Sequence, residues 1–340
     1  MEASTNPKEL YQASKVNKNI KEYIRNNINF PETIGFLEDD VMHIIDDISP
    51  GRERAYLMRL SSELNEQNDE SVIELLGIAI EMQIIAAYVK DDILDRNNKR
   101  NNHYTVNYKY NTQVAAIYSD LFLNISYLAL EDIRQRITDL RYKDFLQKIN
   151  ESYKSICIGQ IETACFNYSA SDLILSICSL YERLVGVAYG HYCSMLITDD
   201  NTLRESLYLF GKNIGIALQV KNDISDFILD PSISGIPAYQ DLLQGQPNIV
   251  IAYLLEHKKY FLPEETVLLE KLLSQKHENE VLAQSEENML LDMLKKSRAI
   301  SKAIDLFNKL LNKCLTYISD IKDTTIKRKY TEFIETLIYE

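Results

Sequence analysis

The chain has 340 residues, of which only 10 are Gly and 7 Pro, enough to build a sizeable core in one large domain or two modest ones. Hydrophobic residues make up 46% and charged residues 26%, and with so few Gly and Pro the composition predicts long helices and few tight turns. The formal charge of −13 argues against a nucleic-acid partner, which calls for a basic face, but leaves room for a phosphorylated substrate, because a divalent cation can bridge carboxylates to phosphates.

Residues 1–20 are polar and are expected to form a short helix or loose arm. Segment 34–48 spaces its apolar residues as a helix and stops at Ser49-Pro50-Gly51. Residues 71–95 give the longest helical pattern, apolar almost all round from Val72 to Leu94, as in a central helix with neighbours on every side. Asn97 to Tyr110 reads as the loop leaving it. Helical patterns follow over 113–135, 141–166, 172–197 and 202–229, with short connections as in an antiparallel bundle. Residues 231–246 break the pattern, and helices are expected again over about 248–257, 263–275, 280–310 and 314–338. No repeat or composition shift divides the chain, so one helical domain over 1–340 is expected.

The five cysteines, Cys157, Cys165, Cys178, Cys193 and Cys314, are odd in number and widely spaced. They suggest neither a disulfide framework nor a zinc site, and read as reduced residues of a cytoplasmic protein. The N-terminus shows no signal-peptide pattern, and no stretch is expected to span a bilayer. The five histidines show no ligand spacing, and Arg328-Lys329-Tyr330 reads as a surface helix face, with closure of a site from the C-terminal helix as the alternative.

Two acidic clusters stand out. Asp91, Asp92 and Asp95 close the most apolar helix; Asp91 and Asp95 stack on one face, with Asp92 beside them. Three carboxylates at a helix C-terminus repel one another and the helix dipole, and Mg²⁺ carrying a diphosphate is one counter-charge that would suit them. Asn222, Asp226 and Asp230 follow at i, i+4 and i+8 near the end of another apolar helix. A lone DDxxD is most often a solvated helix end. Two such clusters about 130 residues apart, each followed by an irregular loop, could instead face one another across a cavity and hold a diphosphate.

In order and spacing these features resemble the trans-polyprenyl synthetase family of isoprenoid synthases, over roughly Gly51 to Leu255. Glu81–Asp95 and Gly211–Asp230 look like its two aspartate-rich helices, Ser119-Asp120-Leu-Phe-Leu is similar to its Gly-Asp-x-Leu-Leu, and Gly159-Gln160 matches its Gly-Gln. Gly245 starts what resembles the loop and helix after the second motif. The resemblance implies an all-α isoprenoid synthase fold, a single-domain bundle of about ten or more helices around a deep central cavity, commonly homodimeric. It implies three Mg²⁺ ions held by Asp91, Asp92, Asp95, Asn222, Asp223, Asp226 and Asp230. A prenyl diphosphate substrate would be contacted by Arg100, Lys99, Lys221, Arg52 and Arg54. Ala86, Ala87, Tyr88, Gln160 and Gln219 would line the pocket. Small residues at Ala86 and Ala87 favour a C15 or C20 substrate.

The departures all concern phosphate-binding positions. The family's Gly-Lys-x-x-Arg reads Gly51-Arg52-Glu53-Arg54-Ala55, its histidine falls at Ile84, its paired arginines become Arg100-Asn101, its Lys-Thr pair falls at Ala188-Tyr189, and its Gly-Lys-x-Thr reads Gly245-Gln246-Pro247-Asn248. Each lost Lys or Arg removes a charge-assisted hydrogen bond to a diphosphate. With the isopentenyl site eroded and the metal ligands kept, the reading put first is a terpene synthase that ionises one prenyl diphosphate. The alternatives are a chain-elongating prenyltransferase, prenyl transfer to another acceptor such as a peptide or an indole, and a non-catalytic partner subunit.

Overall fold

A computed structural model describes residues 13–32, 36–48, 51–65, 69–229, 238–274 and 282–339. The chain divides into two compact units, Met1–Lys154 with Tyr189–Gly211 and Tyr317–Glu340, and Ser155–Ala188 with Lys212–Thr316. All four boundaries between them fall inside helices, so no linker marks them.

The first unit holds α1 (Ala13–Asn27), α2 (Leu37–Ile48), α3 (Glu53–Ser62) and α4 (Glu70–Leu94). A two-stranded hairpin follows, β1 (Lys99–Arg100) with β2 (His103–Tyr104), then α5 (Val106–Lys109) and α6 (Thr112–Arg134). Asp69 starts α4 by accepting from Ser71 N, and Asn111 starts α6 by accepting from Val114 N, both at 2.8 Å. Packing explains why α4 is apolar all round: α1, α2, α3 and α6 all contact it. Two clamps register α4 against α6: Ser119 Oγ donates to Ala86 O and Ser126 Oγ to Ala79 O, both at 2.8 Å. Gln83 lies within this buried stretch, and neither its amide oxygen nor its nitrogen has a hydrogen-bond partner.

Helix α7 (Asp139–Ala164) begins in the first unit and ends in the second; α8 (Leu173–Tyr181) continues through a π-turn (Glu182–Gly186) into α9 (Val187–Ser194). At the π-turn a Cβ on Gly159 would come within 2.7 Å of Leu184 Cα, so the glycine of the Gly-Gln pair is required there for close backbone approach. Gly211, in α10 (Asn201–Ile228), is under the same constraint, its Cβ position lying 2.3 Å from Tyr189 O. The second unit continues with α11 (Gln240–Gln244), α12 (Ile249–Glu256), a 3₁₀ turn (Lys258–Tyr260), α13 (Pro263–Ser274), α14 (Gln284–Ser297) and α15 (Ala299–Tyr317). Helix α16 (Thr324–Tyr339) returns to the first unit against α3.

Several expectations are corrected. Helix α3 is absent from the sequence reading. The helix expected over 280–310 is broken at Arg298, which takes a left-handed φ of 54°, and the next break falls at 318–323 rather than near 312. The expectation that no stretch could span a bilayer also fails on composition. Glu70–Leu94, Thr112–Arg134 and Leu173–Ser194 are long and apolar enough, although 89% of the apolar window of α4 is buried within the protein. All five cysteines are free thiols. Arg328 and Lys329 pair with Glu332 and Glu63.

Candidate active site

The first aspartate cluster closes α4, where the negative end of the helix dipole adds to its charge. Thr105 and Asn107 bind the chain back over that end: Thr105 Oγ1 donates to Asn97 O at 2.6 Å, and Asn107 Nδ2 to Asn97 O at 3.1 Å. Between them the hairpin turns on Asn101 and Asn102, both left-handed with φ of 50° and 65°. That is the two-residue turn whose twist matches paired strands, and Asn tolerates it well. The turn aims Arg100 back at the cluster.

Arg100 Nε donates to both oxygens of Asp92 at 3.0 and 3.2 Å, and Nη2 donates to Asp91 Oδ2 at 2.8 Å. The guanidinium also lies 4.6 Å from the centre of the Tyr88 ring. Burial pushes the Asp92 carboxyl above its ordinary value and Asp91 adds to this, while Arg100 opposes it. Against the cost of burial, Asp92 and Asp91 hold Arg100 charged. Asp91 and Asp95 are half-buried. A cavity of about 250 Å³ in this unit is lined by Asp92 and Arg100 together with Asp40, His43, Asp47 and His103.

The other cations expected on a diphosphate are placed differently. Arg52 is fully buried: Nη1 bonds Glu81 Oε2 at 3.1 Å, Nε donates to Asn17 Oδ1 and Nη2 to Ile45 O. Its donors are engaged inside the unit, which takes it out of the substrate set. Arg54 is buried too, bonded to Glu53 at 2.7 Å and to the Tyr88 hydroxyl at 2.7 Å, with Tyr88 and Tyr189 rings 5.4 and 5.2 Å away. Arg54 and Arg100 thus both rest on Tyr88. Lys99 is exposed, its ammonium 5.2 Å from the Tyr104 ring, and Asn101 is bonded to the carbonyls of Asp47 and Ile48 at the end of α2. Ala86 and Ala87 are buried, small side chains directly before the cluster.

In the second unit the members of the cluster separate by helical phase. Asn222 is exposed and Asp226 half-buried on one face of α10, whereas Asp223 points inward and is 0% exposed. Asp223 accepts from Tyr181 Oη, from Ile249 N at 2.6 Å and from Gln219 Nε2 at 3.4 Å, so it caps α12 and ties it to α8. Burial, with the charge of Asp241, raises it well above the carboxylate range. This is a structural acid, and it is withdrawn from the expected metal ligands. Asp226 accepts from Gln240 N at 2.8 Å and Asp241 N at 3.3 Å, and burial with Asp241 pushes it up to about 8.

Asp241 was missed in the sequence, although it stands four residues before Gly245 in the loop segment singled out there. Its carboxylate accepts from Asn248 Nδ2 at 2.8 Å, and Asn248 in turn caps α12. Gln160 and Lys221 are half-buried in the same unit. Asp230 lies outside the described residues.

Among the described residues no three His, Cys, Asp or Glu side chains converge on one point as a ready-made metal site. The donor chemistry nevertheless fits Mg²⁺. Asp92 beside Asp91, and Asp226 beside Asp241, are carboxylates that a neighbouring carboxylate makes harder to ionise, and all their donors are hard oxygens.

The family model of polyprenyl synthetase matches residues 40–290. Solanesyl diphosphate synthase 2, chloroplastic, of Arabidopsis thaliana is 28% identical over 189 residues, 54% of this chain and 43% of that protein. Heptaprenyl diphosphate synthase component 2 of Bacillus subtilis is 24% identical over 192 residues, 56% of this chain and 53% of that one. The matched stretch spans about half the length of these relatives. The crystal structure of geranylgeranyl pyrophosphate synthase from Corynebacterium glutamicum, complexed with isoprenyl diphosphate and magnesium, covers 98% of this chain and 99% of its own at a TM-score of 0.81 and 14% identity. The fold is the all-α isoprenoid synthase fold, and the chain belongs to the polyprenyl synthetase family.

Proposed function

We propose that the chain is a Mg²⁺-dependent trans-prenyltransferase. It ionises an allylic prenyl diphosphate and joins the prenyl group to isopentenyl diphosphate. The carbon–oxygen bond of the allylic diphosphate breaks and its electron pair leaves with the diphosphate. The acceptor's double bond then forms the new carbon–carbon bond, and a proton is lost. The observation that carries this reading is the Asp91–Asp92 pair at the end of α4 with Arg100 against it, in a chain matched by polyprenyl synthetase over 40–290. The terpene synthase reading put first from the sequence has no support among the relatives above, which are named as diphosphate synthases.

Asp91, Asp92 and Asp95 are the groups of the first unit that would hold Mg²⁺, and Asn222, Asp226 and Asp241 are those of the second. When bound, Mg²⁺ supplies Lewis-acid charge that stabilises the departing diphosphate. Arg100 and Lys99 offer donors to the phosphate oxygens, Arg100 as a planar fork. Ala86 and Ala87 leave room for a C15 or C20 chain, and Tyr88 carries the guanidiniums of Arg54 and Arg100 on its ring.

A second reading, transfer to an acceptor other than isopentenyl diphosphate, is favoured by one observation: Arg52 and Arg54 are buried on Glu81, Glu53 and Tyr88, at the place where the resemblance puts isopentenyl contacts. Release of pyrophosphate from C15 and C20 prenyl diphosphates, with Mg²⁺ or with excess chelator, tests the primary claim. Asp92→Ala is expected to lower the rate by about 10³ or more, as removal of a principal charge-stabilising group does. An undiminished rate in that variant sinks the assignment.

A further inference from the structure

We propose that Arg100 is an internal counter-ion of the first aspartate cluster, occupying the oxygens that a metal would take, so that metal binds there tightly only together with a diphosphate that draws the guanidinium away. This inference rests on the reading of the cluster as a metal centre.

The geometry is that of a closed ion pair. Arg100 engages three carboxylate oxygens, two of Asp92 and one of Asp91, through bonds of 2.8–3.2 Å. The Asp92 side chain is 2% exposed and that of Arg100 22%, so water does little to weaken the pair. The turn at Asn101-Asn102 and the Tyr88 ring hold the guanidinium in place from two sides. Its neighbours do not share this role. Lys90 pairs with Asp120 at 3.6 Å, and Lys99 rests on Tyr104.

A hydrated metal ion arriving alone must compete with a cation already fixed by three hydrogen bonds, and it would leave Arg100 half-buried without its anion. A diphosphate changes the balance. It presents planar pairs of oxygens that fit the same guanidinium fork, so Arg100 exchanges one anionic partner for another while the carboxylates are freed for metal. The dependence is reciprocal, since a ligand that favours the freed cluster raises the affinity of the other by the same factor.

The test measures Mn²⁺ binding to the full chain by electron paramagnetic resonance, with and without inorganic pyrophosphate, in wild type, Arg100→Gln, Arg100→Lys and Lys90→Gln, each checked for an unchanged circular dichroism spectrum. Wild type is expected to bind Mn²⁺ weakly alone and about tenfold more tightly with pyrophosphate, within the range of ~5–150-fold usual for coupled sites. Arg100→Gln is expected to bind Mn²⁺ about tenfold more tightly without pyrophosphate and to lose most of the pyrophosphate effect. Arg100→Lys, which keeps the charge but not the fork, falls between. Lys90→Gln removes a positive charge still nearer in sequence, one paired with Asp120 rather than with the cluster, and is expected to behave as wild type. Equal Mn²⁺ affinity in wild type and Arg100→Gln overturns the inference, and so does an equal gain in Lys90→Gln, which would mean that net charge alone is responsible. Absence of Mn²⁺ binding in every variant, even with pyrophosphate, overturns the metal-centre reading itself.

Discussion

Replacing Glu81 by Gln removes the anion from an ion pair in which neither side chain is exposed. Glu81 holds Arg52 through Oε2 and accepts from the backbone N–H of Ala55 through Oε1, both at 3.1 Å. The variant therefore strands the Arg52 guanidinium in the core, a change that costs about 3–5 kcal/mol. With an unfolding entropy of about 2.1 cal/mol/K per residue over the whole chain, that corresponds to a fall in melting temperature of about 4–7 °C, read by circular dichroism. Replacing both partners, Arg52→Met with Glu81→Leu, removes both charges and is expected to restore most of the loss. The double variant is also expected to keep the wild-type KM for isopentenyl diphosphate, because Arg52 makes its contacts inside the protein. A drop below ~1 kcal/mol in Glu81→Gln would refute the buried pair, and a large rise in KM in the folded double variant would return Arg52 to the substrate site.

Other outcomes follow from single contacts. Gln83→Leu is expected to raise stability by about 1–2 kcal/mol, since the amide it replaces is buried without partners; lower stability in urea titration would mean that ordered water satisfies it. Gly159→Ala is expected to destabilise by roughly 1–3 kcal/mol, because its Cβ would meet the backbone at Leu184 Cα, and an unchanged urea midpoint would contradict this close approach. His191 is held below its ordinary value of 6.5 by burial, against the pull of Glu151. The unfolded chain therefore takes up a proton first as pH falls through about 6.5, and stability declines below that pH. In His191→Gln this part of the decline should vanish from denaturation curves at pH 7, 6 and 5, and an identical slope would exclude His191 as its source. Ala86→Phe is expected to shorten the product, since the resemblance puts this small side chain, five residues before Asp91, on the wall that limits the prenyl chain; unchanged chain length by mass spectrometry would remove Ala86 from the pocket.

The helices were largely legible because their signals are local. Helix α4 has an Asp cap and an unbroken apolar run, and the α6 and α10 boundaries fall within a residue of those expected. Helix α3 was not legible: its N-cap is Arg52 at a φ of 56°, with no side-chain cap bond to announce it. The break at Arg298 was hidden for a similar reason, a left-handed residue that is neither Gly nor Asn. In the site, the first cluster was readable from spacing, but its pairing with Arg100 depends on a turn formed by two adjacent asparagines. Asp223 could have been separated from Asn222 and Asp226 by helical phase, which turns it toward Tyr181 and α12. The burial of Arg52 and Arg54 depends on partners up to 135 residues away, such as Tyr189, and no short-range pattern encodes that.

The central claim is prenyl transfer to isopentenyl diphosphate. Its most direct test is mass spectrometry of the products formed with Mg²⁺ from C10, C15 and C20 prenyl diphosphates, each with and without isopentenyl diphosphate. Longer prenyl diphosphates are expected only when isopentenyl diphosphate is present. A hydrocarbon or alcohol formed equally well without it would contradict the account and return the chain to single-substrate terpene chemistry.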